Sequence, residues 1–184
     1  MAGTVCKPAR QLKGFARVDF VIGMGSNLGT PSDNLARGAT LLCAEPALRI
    51  TALSRVYETE PLGPPQPRYL NAALRVESAL DAHTLLDRLL SIERTLGRVR
   101  DVRWGPRTLD LDLLWAELPV ASERLSVPHP HLHERTFALA PLLDVAPELT
   151  PTYGAALSRL GGSPVVWGRL SLCERVVGCE RTLV

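Results

Sequence analysis

The spacing of apolar residues changes several times along the chain, and each change predicts an element. Val18 to Gly23 (VDFVIG) is a short apolar run ended by glycine, which predicts a buried strand. Gly25-Ser26-Asn27-Leu28-Gly29 reads as a turn, and Ser32 or Asp33 is placed to cap a helix from Asn34 to Ala44. Leu48 to Glu58 (LRITALSRVYE) is rich in β-branched residues with partial alternation and reads as one strand. Glu60 to Arg68 (EPLGPPQPR) holds four prolines and a glycine, so it forms a stiff loop.

Tyr69 to Val76 reads as another strand. After Asp81, a good N-cap, Leu85, Leu86, Leu89, Leu90, Ile92 and Leu96 recur at helical spacing, and Gly97 closes the helix. Thr108 to Trp115 (TLDLDLLW) alternates strictly up to Leu113, the period of a half-buried strand. Glu134 to Asp144 (ERTFALAPLLD) reads as a helix with Pro141 as a kink or break. Gly161 to Val184 gives no assignable period.

The order is therefore β-α-β-β-α-β followed by a helix. That is an α+β, ferredoxin-like split βαβ core: a mostly antiparallel sheet with helices packed on one face. We expect one domain over residues 18–160, a flexible arm over 1–17 and an extension over 161–184.

Composition narrows the function. The 184 residues are 46% apolar and 22% charged, an ordinary globular balance. A net charge of +2 gives no global field for nucleic acid or an anionic membrane. Aromatic residues are only 5%, against the several stacking platforms of an RNA-binding module. No run reaches the ~20 apolar residues of a membrane helix. Cys6, Cys43, Cys173 and Cys179 form no metal-binding pair, and the N-terminus lacks the apolar core of a secretory signal. These features predict reduced thiols and a cytoplasmic protein.

The chemistry concentrates between Arg98 and Asp112. Four arginines (Arg98, Arg100, Arg103 and Arg107) and Trp104 precede Asp110 and Asp112. On a strand, the two aspartates point to one face about 7 Å apart, while Leu109, Leu111 and Leu113 point to the other. Such a pair suits a hard cation with oxygen ligands, Mg²⁺ above all. Guanidinium groups match phosphate oxygens. The bland alternative is mutual salt bridging. The functional alternative brings both sets to a third party, a polyphosphate with its metal. No glycine-rich loop ending in lysine is present, so arginine and metal would hold the phosphates. His129, His131 and His133 alternate as a zinc site would, but Pro128 and Pro130 argue against a strand there.

GSNLG (25–29), YETEPLG (57–63), RYLNAA (68–73), GRVRDVRWGPRTLDLD (97–112) and RLSVPHPHLHERTFALAPL (124–142) together resemble the 6-hydroxymethyl-7,8-dihydropterin pyrophosphokinase family of folate biosynthesis. The resemblance runs from about Val18 to Leu149. It implies transfer of pyrophosphate from ATP to the pterin hydroxymethyl group, with AMP released. It further implies that Asp110 and Asp112 hold two Mg²⁺ ions and that Arg98 and Arg107 act on the phosphates as catalytic groups. The implied ATP contacts are Glu93, Arg98, Arg100, Trp104, Arg107, Arg124, Ser126, His129 and Arg135. The implied pterin contacts are Thr59, Pro61, Leu62, Gly63, Tyr69, Asn71, Trp104 and Phe137. The implied partners are these two small molecules and other folate-pathway enzymes, with no nucleic acid and no membrane.

Two positions depart from the family pattern. The loop is one residue short between Arg100 and Arg103, with Asp101 where a basic residue is common. Glu60 stands in place of a proline. The runner-up reading is another two-metal phosphoryl or nucleotidyl transferase with a different acceptor.

Overall fold

The computed structural model describes residues 17–98 and 105–170. Its centre is β1 (Val18–Ser26), which pairs antiparallel on one side with β4 (Tyr69–Ser78) and on the other with β5 (Asp110–Ala116). The outer part of β4 is shared by two short strands. β2 (Leu48–Leu53) takes one half, and β3 (Val56–Thr59) takes the half that carries Asn71 and Tyr69. β4 thus lies between β1 and β3, as in a split βαβ unit, and all these ladders are antiparallel. A small second sheet joins β6 (Val120–Ala121) to β7 (Ser126–Val127).

The sequence predicts one strand over Leu48 to Glu58; the structure breaks it at Ser54 and Arg55. Ser54 causes the break. Its backbone N–H donates to the Ala73 carbonyl at 3.0 Å, and its hydroxyl accepts from the Ala73 N–H at 2.8 Å. One side chain therefore replaces a ladder partner, and the pairing resumes at Val56. Gly25 and Ser26, read as a turn, belong to β1 because β4 continues to pair with both and β5 with Gly25.

Helix α1 (Pro31–Ala44) starts before the predicted caps Ser32 and Asp33. Pro31 at the first helical position has the right φ and needs no donor, so Thr30 becomes the N-cap. Helix α2 (Ala82–Thr95) is capped as expected by Asp81, which accepts from the His83 and Thr84 N–H groups at 3.0 Å each. Gly97, with φ 79°, ends it. Helix α3 (Thr136–Val145) runs straight through Pro141 instead of breaking there. The helix forgoes one bond to the Phe137 carbonyl, and fully buried Leu139 and Leu142 hold both flanks in place.

The sheet is covered on both faces, not on one. Phe20, Ile22, Met24, Leu74, Leu109 and Leu111 face Leu35 and Leu42 of α1 and Leu85 and Leu89 of α2. Val21, Ala73 and Leu114 face α3, which is apolar almost all round, together with α4 (Thr150–Arg159). β8 (Val165–Gly168) then pairs antiparallel with the free edge of β3 and so extends the same sheet.

Gly23 sits under Leu114 in the second core. A Cβ there would lie 2.9–3.1 Å from three Leu114 side-chain atoms, including its branch carbon. Gly23→Ala is expected to lower stability by ~1–3 kcal/mol, the cost of overpacking, despite alanine's better strand propensity. Urea unfolding measures it; an unchanged midpoint would mean Leu114 moves aside freely.

Candidate active site

β5 alternates as the sequence predicts, burying Leu111 and Leu113 against α1 and α2. Asp110 and Asp112 therefore emerge on the α3 face. Gly25 and Gly23 of β1 lie opposite them in register. A Cβ at Gly25 would meet the Asn71 side-chain oxygen at 3.2 Å, so glycine keeps this approach open. The result is a cavity of about 380 Å³ between the strands and α3. Its wall includes Thr59, Leu62, Tyr69, Asn71, Arg107, Asp110, Asp112, Arg135 and Phe137.

The floor is a charge cluster. Glu93 of α2, 1% exposed, accepts from the Leu111 N–H at 2.8 Å and pairs with Arg98. Arg98 also pairs with one Asp110 oxygen, and Arg107 pairs with the other. Asp112 has no ion pair among the described residues. Among the described residues, three carboxylates thus stand against two guanidinium groups. Burial pushes the Asp112 carboxyl up to about 7, and repulsion from Asp110 and then Glu93 adds to the shift. Burial works against the Arg107 charge, but Asp110, with Tyr69 and Asp112 behind it, more than offsets that and holds its pKa above the ordinary value.

The other end of the cavity suits a flat heterocycle. Asn71 donates to the Thr59 hydroxyl at 2.8 Å, which fixes the amide plane across β3 and β4. Phe137 lines the same cavity from the first turn of α3, and the Arg135 guanidinium lies 5.8 Å from the ring centre. An amide edge and an aromatic face therefore meet within one slot.

The geometry thus places a cluster of acids and arginines beside a slot lined by an amide and an aromatic ring. The profile of the family described as 7,8-dihydro-6-hydroxymethylpterin-pyrophosphokinase (HPPK) matches residues 21–147. The chain belongs to that family. A 2-amino-4-hydroxy-6-hydroxymethyldihydropteridine pyrophosphokinase of Methylorubrum extorquens is 43% identical over 149 residues, covering 78% of this chain and 94% of the relative. Another of that name, from Bacillus subtilis, is 42% identical over 130 residues, covering 70% and 78%. A mitochondrial folate synthesis bifunctional protein of Arabidopsis thaliana is 43% identical over 129 residues, 69% of this chain but 23% of that one. The crystal structure of Plasmodium falciparum HPPK-DHPS shares the fold, with a TM-score of 0.57 at 14% identity over 80% of this chain and 46% of that chain.

Of the residues the family resemblance implies, the cavity brings together Thr59, Leu62, Tyr69, Asn71, Arg107, Asp110, Asp112, Arg135 and Phe137. Arg98 and Glu93 stand behind Asp110 without lining the cavity. Pro61, Gly63, Ser126 and His129 do not line it either, and Arg124 pairs with Asp87 on the surface. Arg100 and Trp104, with Asp101, lie outside the described residues.

Other residues enter that sequence reasoning left without a role. Asn27, 2% exposed, donates to the Gln66 side chain and the Pro67 carbonyl, each at 3.0 Å, and accepts from the Arg107 N–H at 2.7 Å. It joins the proline-rich loop to the segment that delivers Arg107. The signal was present: a short amide in a turn between two glycines, Gly25 and Gly29, is a ready bridge between backbone segments. His131 lines the cavity, but the histidine trio does not assemble. A 3₁₀ turn at Leu132–Glu134 sets His131 and His133 on either side of Glu134, at 3.1 and 3.4 Å. Glu60 also reaches the cavity wall and pairs with Arg68.

Proposed function

We infer that the chain transfers the pyrophosphoryl group of ATP to 6-hydroxymethyl-7,8-dihydropterin, releasing AMP, in folate biosynthesis. Family membership carries the reaction. One observation supports its location: the acidic pair, Arg107 and the Asn71–Phe137 slot share a single cavity.

The cavity chemistry fits a divalent cation. Asp112 has no ion pair among the described residues, and Asp110 beside it can turn an oxygen to a cation as Arg107 leaves it for the phosphates. Among the described residues no group of three or more His, Cys, Asp or Glu forms a metal cage. Mg²⁺ does not need one, because waters and phosphate oxygens complete its shell. Asp110 and Asp112 are the residues that would hold the metal, two ions by family resemblance, and metal there would neutralise phosphate charge and polarise the β-phosphorus.

The chain's own residues do the rest. Asn71 and Thr59 orient the heterocycle edge, and Phe137 covers its face. This points the hydroxymethyl oxygen toward the acidic end. Arg107, paired with Asp110 here, turns to the triphosphate, whose oxygens give a guanidinium more acceptors. Arg98 follows, and Glu93 keeps it from leaving the floor. Arg135 guards the cavity wall against loss of the anion. The hydroxymethyl oxygen bonds to the β-phosphorus, the α–β bridging oxygen leaves on AMP, and the hydroxyl proton is released. Preorganised charge and positioning supply the acceleration, and no covalent enzyme intermediate is needed.

A cytoplasmic setting, where ATP is available, is part of this reading. Among the described residues no helix is long and apolar enough to cross a membrane. The bifunctional folate relatives make a second folate enzyme the natural partner class. The test is a product assay with ATP, Mg²⁺ and the hydroxymethyl pterin. AMP and pterin pyrophosphate in equal amounts are expected. ADP, or free pyrophosphate with a nucleotidylated pterin, would assign another transferase.

A further inference from the structure

Helix α3 carries Phe137 into the slot at one end and is fastened to the sheet at the other. The fastening is Asp144. Its carboxylate accepts from the buried Tyr57 hydroxyl at 2.9 Å. It also accepts from the Arg55 backbone N–H at 3.1 Å and from the Arg55 guanidinium at 3.0 and 2.6 Å. The Arg55 guanidinium lies 5.5 Å from the Tyr57 ring centre, so the three groups form one packed unit. All four contacts reach β3 or the residue just before it.

The location of that unit matters for the slot. Phe137 and Asp144 are seven residues apart, two helical turns, so they share the sheet-facing side of α3 about 10 Å apart. Tyr57 pairs in register with Asn71, and Asn71 holds Thr59. The contact that fixes α3 is therefore made on the strand pair that forms the opposite wall. Between the two ends lies Pro141, which deprives α3 of one internal hydrogen bond. Buried Leu139 and Leu142 hold the middle of the helix against the sheet, and the Asp144 contacts fix its C-terminal end.

We propose that Asp144, gripped by Tyr57 and Arg55, is a positioning residue that sets the width of the slot between Phe137 and Asn71 and thereby the affinity for the flat heterocycle. The proposal rests on the reading of that slot as the pterin site. It assigns no chemistry to the three residues, which touch neither phosphates nor reacting atoms. Loss of the grip lets α3 ride away from β3 and β4, and the ring loses contact on one face.

Tyr57→Phe removes a single hydroxyl and keeps the ring, so the core stays filled. The measurement is equilibrium binding of the hydroxymethyl pterin to the full chain with Mg²⁺ and a non-hydrolysable ATP analogue, together with steady-state kinetics. Tyr57→Phe should weaken pterin binding about fivefold, the size of one lost buried hydrogen bond. Its kcat should stay within about twofold and its KM for ATP should not move, because a widened slot removes ground-state and transition-state binding alike. Asp144→Asn should weaken the pterin further, since it also loses the Arg55 ion pair. Val145→Ala, which trims the buried face of the same helix without touching the grip, serves as the stability control. Unchanged pterin affinity in Tyr57→Phe would overturn the proposal. So would an equal loss in Val145→Ala at matched melting temperature. A parent protein that binds no pterin would instead overturn the functional reading, and the slot-width proposal with it.

Discussion

Asp112→Asn should lower turnover by about a thousandfold or more and make the metal-free protein more stable at pH 8, the first by loss of a cavity-floor carboxylate that has no ion pair among the described residues. The two effects have one cause. Burial and the neighbouring carboxylates Asp110 and Glu93 push the Asp112 carboxyl up to about 7, well above an ordinary aspartate. Between about pH 4 and 7 the folded chain keeps a proton that the unfolded chain has lost, so stability falls as pH rises through that window. Above it, the cost of the buried charge is complete. An amide of the same shape carries no such cost. At about 1.4 kcal/mol per pKa unit, Asp112→Asn should gain roughly 2–4 kcal/mol at pH 8 and nothing near pH 4. Pterin affinity should change far less than turnover. Urea unfolding at both pH values, with a turnover assay, checks both halves. Lower stability of Asp112→Asn at pH 8 would mean the carboxylate is already compensated.

Arg107→Ala should cut kcat by about a hundredfold or more, on the scale of removing one preorganised charge donor. The fold should tolerate the change. The Arg107 backbone, held by Asn27 through both its N–H and its carbonyl, keeps those bonds without the side chain. Asp110 keeps Arg98 as a partner. Arg107→Lys retains the charge but not the two-pronged geometry, so it should fall between the two. A wild-type rate for Arg107→Ala would place the residue outside the phosphate shell. In that case its pairing with Asp110 would be a plain surface-rim salt bridge.

The fold was most readable where one residue type alternated without interference. In β5, leucine and aspartate take turns, and that alone assigns a buried and an open face. α2 announced itself through its leucines, its Asp81 cap and Gly97. The reading failed where tertiary contacts override the local pattern. Ser54 splits a strand because its hydroxyl captures a neighbouring N–H, which no periodicity records. Pro141 stays inside α3 because burial on both flanks outweighs one lost bond. β8 has only four residues, with Val165 and Trp167 more than half exposed, so no buried period marks it. The one-faced sheet expected from sequence misses the apolar side chains of Val21 and Leu114, which need a second cover.

For the site, residue type and spacing located the acids and the arginines. They did not reveal that Asp110 is paired on both oxygens while Asp112 is not. That asymmetry depends partly on α2, whose buried Glu93 anchors Arg98 against the start of β5. Nor did spacing reveal the role of Asn27, which joins two loops.

In a structure of the chain with Mg²⁺ and a non-hydrolysable ATP analogue, the triphosphate should lie over β5, with metal between it and the Asp110 and Asp112 carboxylates and Arg107 turned from Asp110 to the phosphate oxygens. Bare carboxylates, an unmoved Arg107 and nucleotide bound elsewhere would contradict that placement.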